Sequence, residues 1–381
     1  MSLVELRQQI ESVDDCLLQQ LAARRKLALA VANYKAQSDK HVRDVEREAS
    51  LLLSLIEKGK ALDLDAAYLT RLFHLIIEDS VLLQQAHLHP LGHHSHLSIA
   101  HLGSAGTYSH LAAQGYANRR QAAMQGISCD SFAEIVKQVE LGHAELGILP
   151  IENSTSGSIT DVYDLLRHTH LMIVAETYLD VDHHLLVKPG TEKADIRHVY
   201  AHPQALSQCS EQLDCLTSIT CHSSSSSAHA MASIAASERN DVAAIGPGSA
   251  AALFQLEAID HQLANQRDNQ TRFILVSRHG CKVAAQLPAK TSLIMATHNQ
   301  PGALVDALMI LRQQNISMSK LESRPMPGNP WEELFYVDVL VHEQAPEWQQ
   351  AYGQLKASTR FIKLLGCYPD ERVKPTYVSS P

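Results

Sequence analysis

Three cations near the start of the chain could form a pocket for a small dianion. Arg7, Arg24 and Lys35 lie in a stretch without Pro or Gly, where apolar residues recur at spacings of three and four, which predicts one long helix. Arg24 and Lys35 are eleven residues apart, so they share nearly the same helix face at about 16 Å along the axis. Their long side chains can therefore converge on one ligand. Arg7 faces elsewhere and could serve a site formed with a second chain.

Polar residues on two further predicted helices could complete this pocket. Asp44 and Glu48 share one face at positions i and i+4, with Arg47 between them, and Ser80 and Gln84 share another. The set offers both donors and acceptors of hydrogen bonds. From the charge pattern alone, a solvated helix surface with ordinary ion pairs is the competing interpretation.

Three motifs in the middle of the chain place hydroxyls and amides at the ends of predicted strands. They are LGSAGTYSH (102–110), PIENSTSGSI (150–159) and NQTRF (269–273). The first lacks the spacing of a dinucleotide or P-loop motif, but a small-residue loop at a helix start suits a carboxylate. The third puts a threonine beside an arginine at the head of a strand. Each motif alone is also typical of an ordinary capped turn.

The elements that position these residues begin with a helical unit. Helices are predicted over 3–36, from about 45 to 58 with Gly59 as the stop, and from after Asp63 to about residue 86. Three such helices cannot bury their apolar faces in a monomer, so an intertwined dimer is expected. The His-rich segment 87–96 predicts a linker, because no ordered spacing or acidic partner supports a metal site there.

Two further units follow the helices. From residue 97 to about 277, short apolar runs that end in Gly, Pro or polar turns alternate with helical stretches, which indicates an α/β domain. Residues 278–290 predict a second linker. The order β-α-β-β-α-β over 291–370 predicts a ferredoxin-like unit.

Bulk properties narrow the class of protein. A length of 381 residues implies two or three domains, and a net charge of −9 argues against nucleic acid as the main partner. The sequence shows no signal peptide and no run of about 18 apolar residues, so neither export nor a membrane is expected. The seven cysteines are scattered and form no CxxC, which indicates reduced thiols in a cytoplasmic protein.

The N-terminal segments resemble the all-helical chorismate mutases. The resemblance rests on LRQQIESVDDCLLQQLAARRKLA with Lys35, VRDVEREASLL and RLFHLIIEDSVLLQQ. It implies that Arg24 grips one carboxylate of chorismate, that Arg7 from the neighbouring subunit grips the other, and that Lys35 and Gln84 hydrogen-bond the ether oxygen. The residues it implies around the ring hydroxyl are Glu48, Asp44, Arg47 and Ser80. The implied reaction, chorismate to prephenate, needs orientation and electrostatic stabilisation but no nucleophile and no cofactor.

The central motifs, in this order, resemble prephenate dehydratase over about residues 97–277, a two-lobed α/β domain. The resemblance implies that Thr271 is the catalytic hydroxyl, which donates to the leaving hydroxyl or orients it. Other substrate-binding residues that it implies are Glu152, Asn153, Gln208, Ser227, Arg272 and Phe273. No metal or organic cofactor is implied. Two positions depart from the family: Ser104 replaces a usual Pro and would loosen its loop, and Ala201 replaces a serine and would remove a hydrogen bond.

The C-terminal segments PGALVDAL and LESRPMPGNPWEELFYVD resemble the ACT regulatory domain. The resemblance implies that L-phenylalanine binds at a subunit contact and inhibits the dehydratase. The binding residues that it implies are Gly302, Ala303, Leu304 and Val305 in the turn, and Glu322, Ser323, Arg324 and Pro325 in the second signature. Whether or not a ligand binds, the first segment is expected to start a helix and the second to end a strand.

The leading interpretation is therefore a bifunctional mutase and dehydratase under feedback control, acting as a homodimer or higher oligomer. A fusion of the mutase with a dehydrogenase would need a dinucleotide fingerprint, which the sequence lacks. The competing interpretations are a non-catalytic phenylalanine sensor and a protein with mutase activity alone.

Overall fold

The computed structural model describes residues 2–38, 40–88, 95–216, 218–266, 268–326 and 332–372. The helices are α1 (Leu3–Ala36), α2 (Val45–Lys60), α3 (Ala66–Leu88), α4 (Tyr108–Arg119), α5 (Phe132–Glu140), α6 (Thr160–His168), α7 (Pro203–Gln208), α8 (Ser210–Asp214), α9 (Ser227–Ala236), α10 (Ala303–Gln313) and α11 (Pro346–Ser358). The strands are β1 (His96–Leu102), β2 (Ala123–Cys129), β3 (Leu146–Asn153), β4 (Gly157–Ser158), β5 (Met172–Asp180), β6 (His183–Val187), β7 (His198–Ala201), β8 (Thr220–Ser223), β9 (Val242–Pro247), β10 (Glu257–Asp260), β11 (Gln270–Ser277), β12 (Ala289–Thr297), β13 (Met318–Pro325), β14 (Glu333–Val339) and β15 (Thr359–Pro369). Most of the predicted linker 87–96, and residues 327–331 of the second segment that resembles the ACT domain, lie outside the described residues.

The helical unit begins with local caps that fix where its helices start. The Ser2 hydroxyl accepts from the Glu5 N–H while the Glu5 carboxylate accepts from the Ser2 N–H at 2.7 Å, a capping box that starts α1. The Asp44 carboxylate accepts from the Arg47 N–H at 2.9 Å and starts α2. Asp44 therefore has a structural role as a cap.

Gly59 does not end the second helix, contrary to the prediction from the sequence. Helix α2 continues to Lys60, and Gly59 is buried within it. A Cβ atom at Gly59 would lie 2.0 Å from Cδ1 of Leu69 on α3. The glycine is needed because α3 packs closely against α2 at this point, a tertiary requirement that helix-stop statistics do not detect.

One face of α1 lies open to water in a single chain. Its buried residues are Ala28 and Ala32, while its large apolar side chains are mostly exposed. The aliphatic side chains that are more than half exposed are Leu3, Val4, Ile10, Val13, Leu17, Leu18 and Leu27. An apolar stripe of this length on one helix is typical of a surface that another chain covers.

The central unit consists of two lobes, each built on its own mixed sheet. The first lobe has the strand order β2-β1-β3-β11-β5, with β4 paired to β3, and the second has β10-β6-β9-β7-β8. The chain passes from the first lobe to the second between β5 and β6 and returns between β10 and β11. Residues at these two crossings therefore lie where the lobes meet.

The C-terminal unit is a four-stranded antiparallel sheet with two helices on one face. Its strand order is β13-β14-β12-β15, and α10 and α11 pack on it around Trp348. The other face shares a hydrophobic core with the first lobe, where Ile173 packs with Leu365 and Tyr368. Gly366 has φ 152°, and a Cβ atom there would lie 2.1 Å from the Ile173 carbonyl oxygen. The two sheets thus approach too closely for any other residue at this position.

Candidate active sites

The helical unit brings Arg24 and Lys35 to the inner face of α1. The Arg24 guanidinium donates to the Ile76 carbonyl at 3.0 Å and to the Ser80 hydroxyl. The Lys35 ammonium donates to the Val42 carbonyl at 2.5 Å. Burial lowers the pKa of both cations, and nearby carboxylates partly oppose each shift. Two half-buried cations without a bidentate carboxylate partner among the described residues of their own chain suit an anionic ligand.

Glu48 lies at this pocket with a partner that the sequence did not reveal. Its carboxylate is buried and accepts from Arg43 at 3.3 Å. Arg43 precedes the cap of α2, so no helical spacing could have indicated the pair. By contrast, the side chains of Asp44 and Arg47 are exposed.

Gln84 has an incompletely satisfied amide in this pocket. It is buried on α3 and donates to the Ser80 carbonyl at 3.1 Å. Its Oε1 atom is buried and has no hydrogen-bond partner among the described residues. Nε2 keeps a second hydrogen beyond the one given to Ser80, so the amide can still donate to a ligand.

Arg7 is far from the other cations of its own chain. It is exposed on α1, seventeen residues before Arg24, which corresponds to about 26 Å along the axis. That distance exceeds the length of an arginine side chain. Arg7 can therefore act on the same ligand as Arg24 only if the two come from different chains.

A cleft of about 840 Å³ lies between the two lobes of the central unit. Of the residues predicted for the second site, those that line it are Asn153, Gln208, Ser227, Thr271 and Phe273, together with Ser104. Glu152 and Arg272 are not among the cleft residues. Ala201 is fully buried in the core of the second lobe, so the departure at this position replaces one core side chain by another.

Thr271 and Asn153 are paired at the base of the cleft. They are partners across the β3–β11 ladder, and Nδ2 of Asn153 donates to Oγ1 of Thr271 at 2.9 Å. Oδ1 of Asn153 in turn accepts from the N–H groups of Thr155 and Ser156 at 3.0 and 2.9 Å. These bonds hold the threonine hydroxyl in one position.

Arg272 points away from the cleft, which corrects its predicted role in substrate binding. Its side chain is buried between the first lobe and the C-terminal unit, where it bonds Glu176 at 2.8 Å, Asp338 at 2.7 Å and the Tyr368 hydroxyl at 3.0 Å. Lys290 also bonds Glu176, at 2.7 Å. Neighbouring residues of a strand point to opposite faces, so Thr271 and Arg272 serve different places.

Glu152 belongs to the same interface, which corrects its predicted place in the cleft. Its carboxylate accepts from Arg272 at 3.2 Å and from Lys320 of β13 at 2.7 Å. Burial alone would raise the pKa of Glu152, but the bonds to Lys320 and Arg272 outweigh it and hold the pKa below its ordinary value. We call the group formed by Glu152, Glu176, Arg272, Lys290, Lys320 and Asp338 the interface cluster.

Two helix N-termini face the cleft from opposite lobes. Thr107 caps α4 in the first lobe, and Ser226 caps α9 in the second. Oγ1 of Thr107 also donates to the Ser104 carbonyl at 3.0 Å, which connects the loop with Ser104 to the start of α4. Within the described ranges, no lysine or arginine lines this cleft. An anion could be held there by the helix ends and by polar N–H and O–H groups, whereas the Asp130 carboxylate, which also lines the cleft, would oppose it.

The C-terminal unit has a smaller pocket of about 270 Å³ at the start of α10. Gly302 caps this helix with φ 85°, and the four residues of the predicted turn, Gly302 to Val305, all line the pocket. The second predicted signature does not. Glu322 accepts from Ser158 at 2.7 Å, and Arg324 pairs with Asp164 at 3.2 Å, so β13 contacts the first lobe instead. Ser323 and Pro325 lie on the same strand and are also absent from the pocket.

The described residues offer neither a membrane span nor a metal site. Across them, no helix has the length and apolar character that crossing a membrane requires, and no group of His, Cys, Asp and Glu could hold a metal ion. All seven cysteines are free thiols.

Family models match two segments of the chain. The model for chorismate mutase type II matches residues 6–85, and the model for prephenate dehydratase matches residues 99–281. The bifunctional chorismate mutase/prephenate dehydratase of Enterobacter agglomerans is 51% identical over 98% of this chain and 97% of its own length.

Solved structures are also similar. A prephenate dehydratase from Arthrobacter aurescens in complex with L-Phe has a TM-score of 0.66 and 27% identity, and the match covers 74% of this chain and 93% of that one. A protein described as GqqA, a novel type of quorum quenching acylase, has a TM-score of 0.64 and 32% identity over 71% of this chain and 97% of its own.

Proposed function

The chain belongs to the bifunctional chorismate mutase/prephenate dehydratase family, and on this premise we propose which residues carry each reaction. The enzyme rearranges chorismate to prephenate and converts prephenate to phenylpyruvate. The observation that carries our site assignment is the Thr271–Asn153 pair at the base of the cleft, in a chain that also holds two half-buried cations on α1. The units that we assign are a mutase over 1–86, a linker over 87–96, a dehydratase over 97–277, a linker over 278–290 and an ACT domain over 291–370.

The mutase site works by holding one conformation of chorismate. Arg24 and the partner chain's copy of Arg7 bind the two carboxylates and fold the side chain over the ring. Lys35 and Gln84 donate to the ether oxygen, where negative charge develops as the C–O bond breaks, and each donor contributes on the order of a few kcal/mol. Glu48 accepts from the ring hydroxyl, with Arg43 holding its carboxylate in place. Asp44, Arg47 and Ser80 order the pocket around it.

A second copy of the chain completes this site. The distance along α1 excludes Arg7 from its own chain's pocket, and the exposed apolar stripe of α1 provides the surface for association. An intertwined dimer explains both features at once, because it covers the stripe and delivers Arg7 to the partner's pocket.

The dehydratase site removes carbon dioxide and the ring hydroxyl from prephenate. The electron pair of the breaking C–C bond enters the ring and expels the hydroxyl, so the ring becomes aromatic and one proton is taken up as water leaves. Thr271 donates a hydrogen bond to the departing oxygen. The two carboxylates of prephenate suit the two helix N-termini that face the cleft, at Thr107 and at Ser226 and Ser227. Asn153, Gln208 and Phe273 complete the site.

The C-terminal unit senses the end product. We assign L-phenylalanine to the pocket at Gly302, Ala303, Leu304 and Val305, where the amides at the start of α10 suit its carboxylate. The L-Phe complex of the Arthrobacter aurescens protein supports this effector. Glu322, Ser323, Arg324 and Pro325 then transmit or complete binding from β13, next to the first lobe.

One assay tests the whole proposal. Purified protein receives chorismate alone, and prephenate and phenylpyruvate are followed with and without L-phenylalanine. Phenylpyruvate formation that L-phenylalanine suppresses is the expected result. Prephenate that accumulates without phenylpyruvate would contradict the dehydratase assignment, and unaltered turnover with bound L-phenylalanine would contradict the regulatory one.

A further inference from the structure

A series of amide side chains connects Thr271 with the second lobe. Nδ2 of Asn153, which donates to Thr271, also donates to Oδ1 of Asn269 at 2.7 Å. Nδ2 of Asn269 then donates to Oε1 of Gln208 at 3.3 Å. Asn269 is only 4% exposed, and it touches both amides without lining the cleft itself.

The same Gln208 oxygen is held from the other side by a histidine. Nε2 of His183 lies 2.9 Å from Oε1 of Gln208, and Nδ1 of His183 lies 2.9 Å from the Tyr108 hydroxyl. His183 is 2% exposed, and burial lowers its pKa, which keeps the imidazole neutral near pH 7. A neutral ring that donates from Nε2 must accept at Nδ1, so the single hydrogen of Tyr108 is shared between Nδ1 at 2.9 Å and the Asp182 carbonyl oxygen at 3.1 Å.

The direction of each bond in this series of amides is determined. Oδ1 of Asn153 accepts from two backbone N–H groups, which can only donate, so its Nδ2 must face Asn269 and Thr271. Asn269 therefore presents its oxygen to Asn153 and its NH2 group to Gln208. It follows that Oε1 of Gln208 points inward, toward both Asn269 and His183.

This arrangement leaves two donors for a ligand. The Thr271 oxygen already accepts from Asn153, so its own hydrogen remains to donate. The Gln208 oxygen already accepts two bonds, so its NH2 group remains to donate. Both residues line the cleft, one from each lobe. If the Gln208 amide had the opposite orientation, its oxygen would face the anionic substrate and repel it.

Asn269 and His183 lie at the two crossings between the lobes. His183 is the first residue of β6, and Asn269 immediately precedes β11. The backbone joins the crossings as well, since the Val181 N–H donates to the Asn269 carbonyl at 2.7 Å. The series of hydrogen bonds thus sets the orientation of a group in one lobe relative to a group in the other.

We propose that Asn269 and His183 are positioning residues of the dehydratase, which orient Gln208 and Thr271 as paired donors to prephenate. This inference rests on the proposed role of Thr271. Asn269 does not line the cleft. His183 does line it, but both of its ring nitrogens are engaged, by Gln208 and by Tyr108, so each residue acts through the amide of Gln208 or Asn153.

The test is a double-mutant cycle with the mutase of the same chain as its internal control. Asn269→Ala and His183→Phe should each lower dehydratase kcat/KM by about 10- to 100-fold, since small misplacements have effects of this size. Mutase kcat/KM should stay at the wild-type value. In a Gln208→Ala background the same two changes should have much smaller effects, because the group they orient is gone.

Asn265→Ala is the matched control. Asn265 lies on the same connection, but its side chain is exposed and bonds Ser210 and the Glu211 N–H in the second lobe, away from Thr271. The dehydratase activity of the Asn265→Ala variant should stay within about twofold of that of the wild type.

The outcomes separate this inference from the assignment of Thr271. Full additivity with Gln208→Ala, or wild-type dehydratase activity in both single variants, would overturn the positioning role even if Thr271→Ala is inactive. An active Thr271→Ala variant would overturn the assignment of Thr271 itself. If Asn269→Ala misfolds and mutase activity is lost as well, the comparison of His183→Phe with and without Gln208→Ala decides the question alone.

Discussion

At the scale of single residues, the three-residue motif Thr271, Arg272 and Phe273 serves two separate places. Thr271 and Phe273 line the cleft, whereas Arg272 joins the interface cluster on the other side of the sheet. Side chains alternate along a strand, so a motif that is continuous in sequence is split between two faces. The hydroxyl that we propose as catalytic is thus one residue away from the contact with the C-terminal unit.

Thr271→Ala should abolish dehydratase turnover and leave the mutase unchanged. The change removes the hydroxyl and leaves the Asn153 amide with one partner fewer, but it touches nothing in the helical unit. Thr271→Ser, which keeps the hydroxyl, should retain part of the activity. Both rates can be measured on one preparation, with prephenate for the dehydratase and chorismate for the mutase. Dehydratase activity near that of the wild type in the alanine variant would contradict the proposed role.

Gln84→Ala should reduce the turnover of the mutase more than its binding of chorismate. If Gln84 donates to the ether oxygen, its bond strengthens as charge develops there, so kcat should fall by about 100-fold or more while KM changes little. Steady-state kinetics with chorismate gives both constants, and dehydratase activity on added prephenate serves as the folding control. An equal loss in binding and turnover would show that the amide holds the ground state only.

Acid should destabilise the dehydratase lobes below about pH 6.5. Burial lowers the pKa of four histidines there, His101, His110, His183 and His202. The unfolded chain therefore binds more protons than the folded one as the pH falls, so the free energy of unfolding decreases toward about pH 5. The denaturant concentration at the midpoint of unfolding should therefore fall as the pH is lowered. The midpoint of the His101→Phe variant should change less with pH, because His101 is only 1% exposed and its buried ring is then no longer titratable. A wild-type midpoint that does not change with pH would refute the predicted acid effect.

At the scale of elements, strand β13 links the C-terminal unit to the wall of the cleft between the lobes. Glu322 accepts from Ser158, which lines the cleft, and Lys320 bonds both Ser158 and Glu152. The pocket at the start of α10 lies elsewhere in the same sheet unit. The two regulatory signatures thus occupy different positions, one at a ligand pocket and one at the contact with the first lobe.

Glu322→Gln should weaken inhibition by L-phenylalanine without weakening its binding in the absence of prephenate. The change removes a charge from the contact with Ser158 and Lys320 but leaves the pocket residues intact. The concentration of L-phenylalanine that gives half-inhibition should rise about fivefold or more. A change of this size corresponds to a typical coupling free energy between two sites. Glu347→Gln, an exposed glutamate on α11, is the matched control. Equal shifts in binding and inhibition would place Glu322 in the binding site instead.

The sequence predicted elements better than it predicted contacts between them. Periodicity indicated α1 and the order of the C-terminal strands, because these patterns are local. The prediction of a helix stop at Gly59 was wrong, since only the packing of Leu69 explains this glycine. The pairing of Arg43 with Glu48 and the burial of Arg272 depend on residues distant in sequence or outside helical register, so spacing carried no signal for them.

At the scale of the whole molecule, the proposed dimer makes the mutase a shared property of two chains. Arg7 and Arg24 cannot serve one ligand from a single helix, and α1 exposes an apolar stripe along most of its length. The dehydratase cleft, by contrast, is formed by two lobes of one chain.

Mixing two inactive variants should therefore restore mutase activity. Arg7→Ala and Arg24→Ala chains, refolded together in equal amounts, give mixed dimers in half of the assemblies. Each mixed dimer has one intact site and one doubly damaged site, so about a quarter of the wild-type activity should return. Separately refolded variants supply the baseline. If no activity returns although mixed dimers form, Arg7 does not act across the subunit boundary.

The interface cluster also bears on how the chain is made. Arg272 finds partners in Asp338 and Tyr368, and Arg119 and Arg120 both pair with Glu371. A ribosome synthesises these partners after the first lobe, and at about 5–20 residues per second the 99 residues from Arg272 to Glu371 take roughly 5–20 s. During that interval Arg272 has Glu152 and Glu176 of the first lobe as partners, but the face that the C-terminal unit will cover stays open to water. The helical unit can fold while synthesis continues, but the dehydratase reaches its native state only after the C-terminal unit has been synthesised.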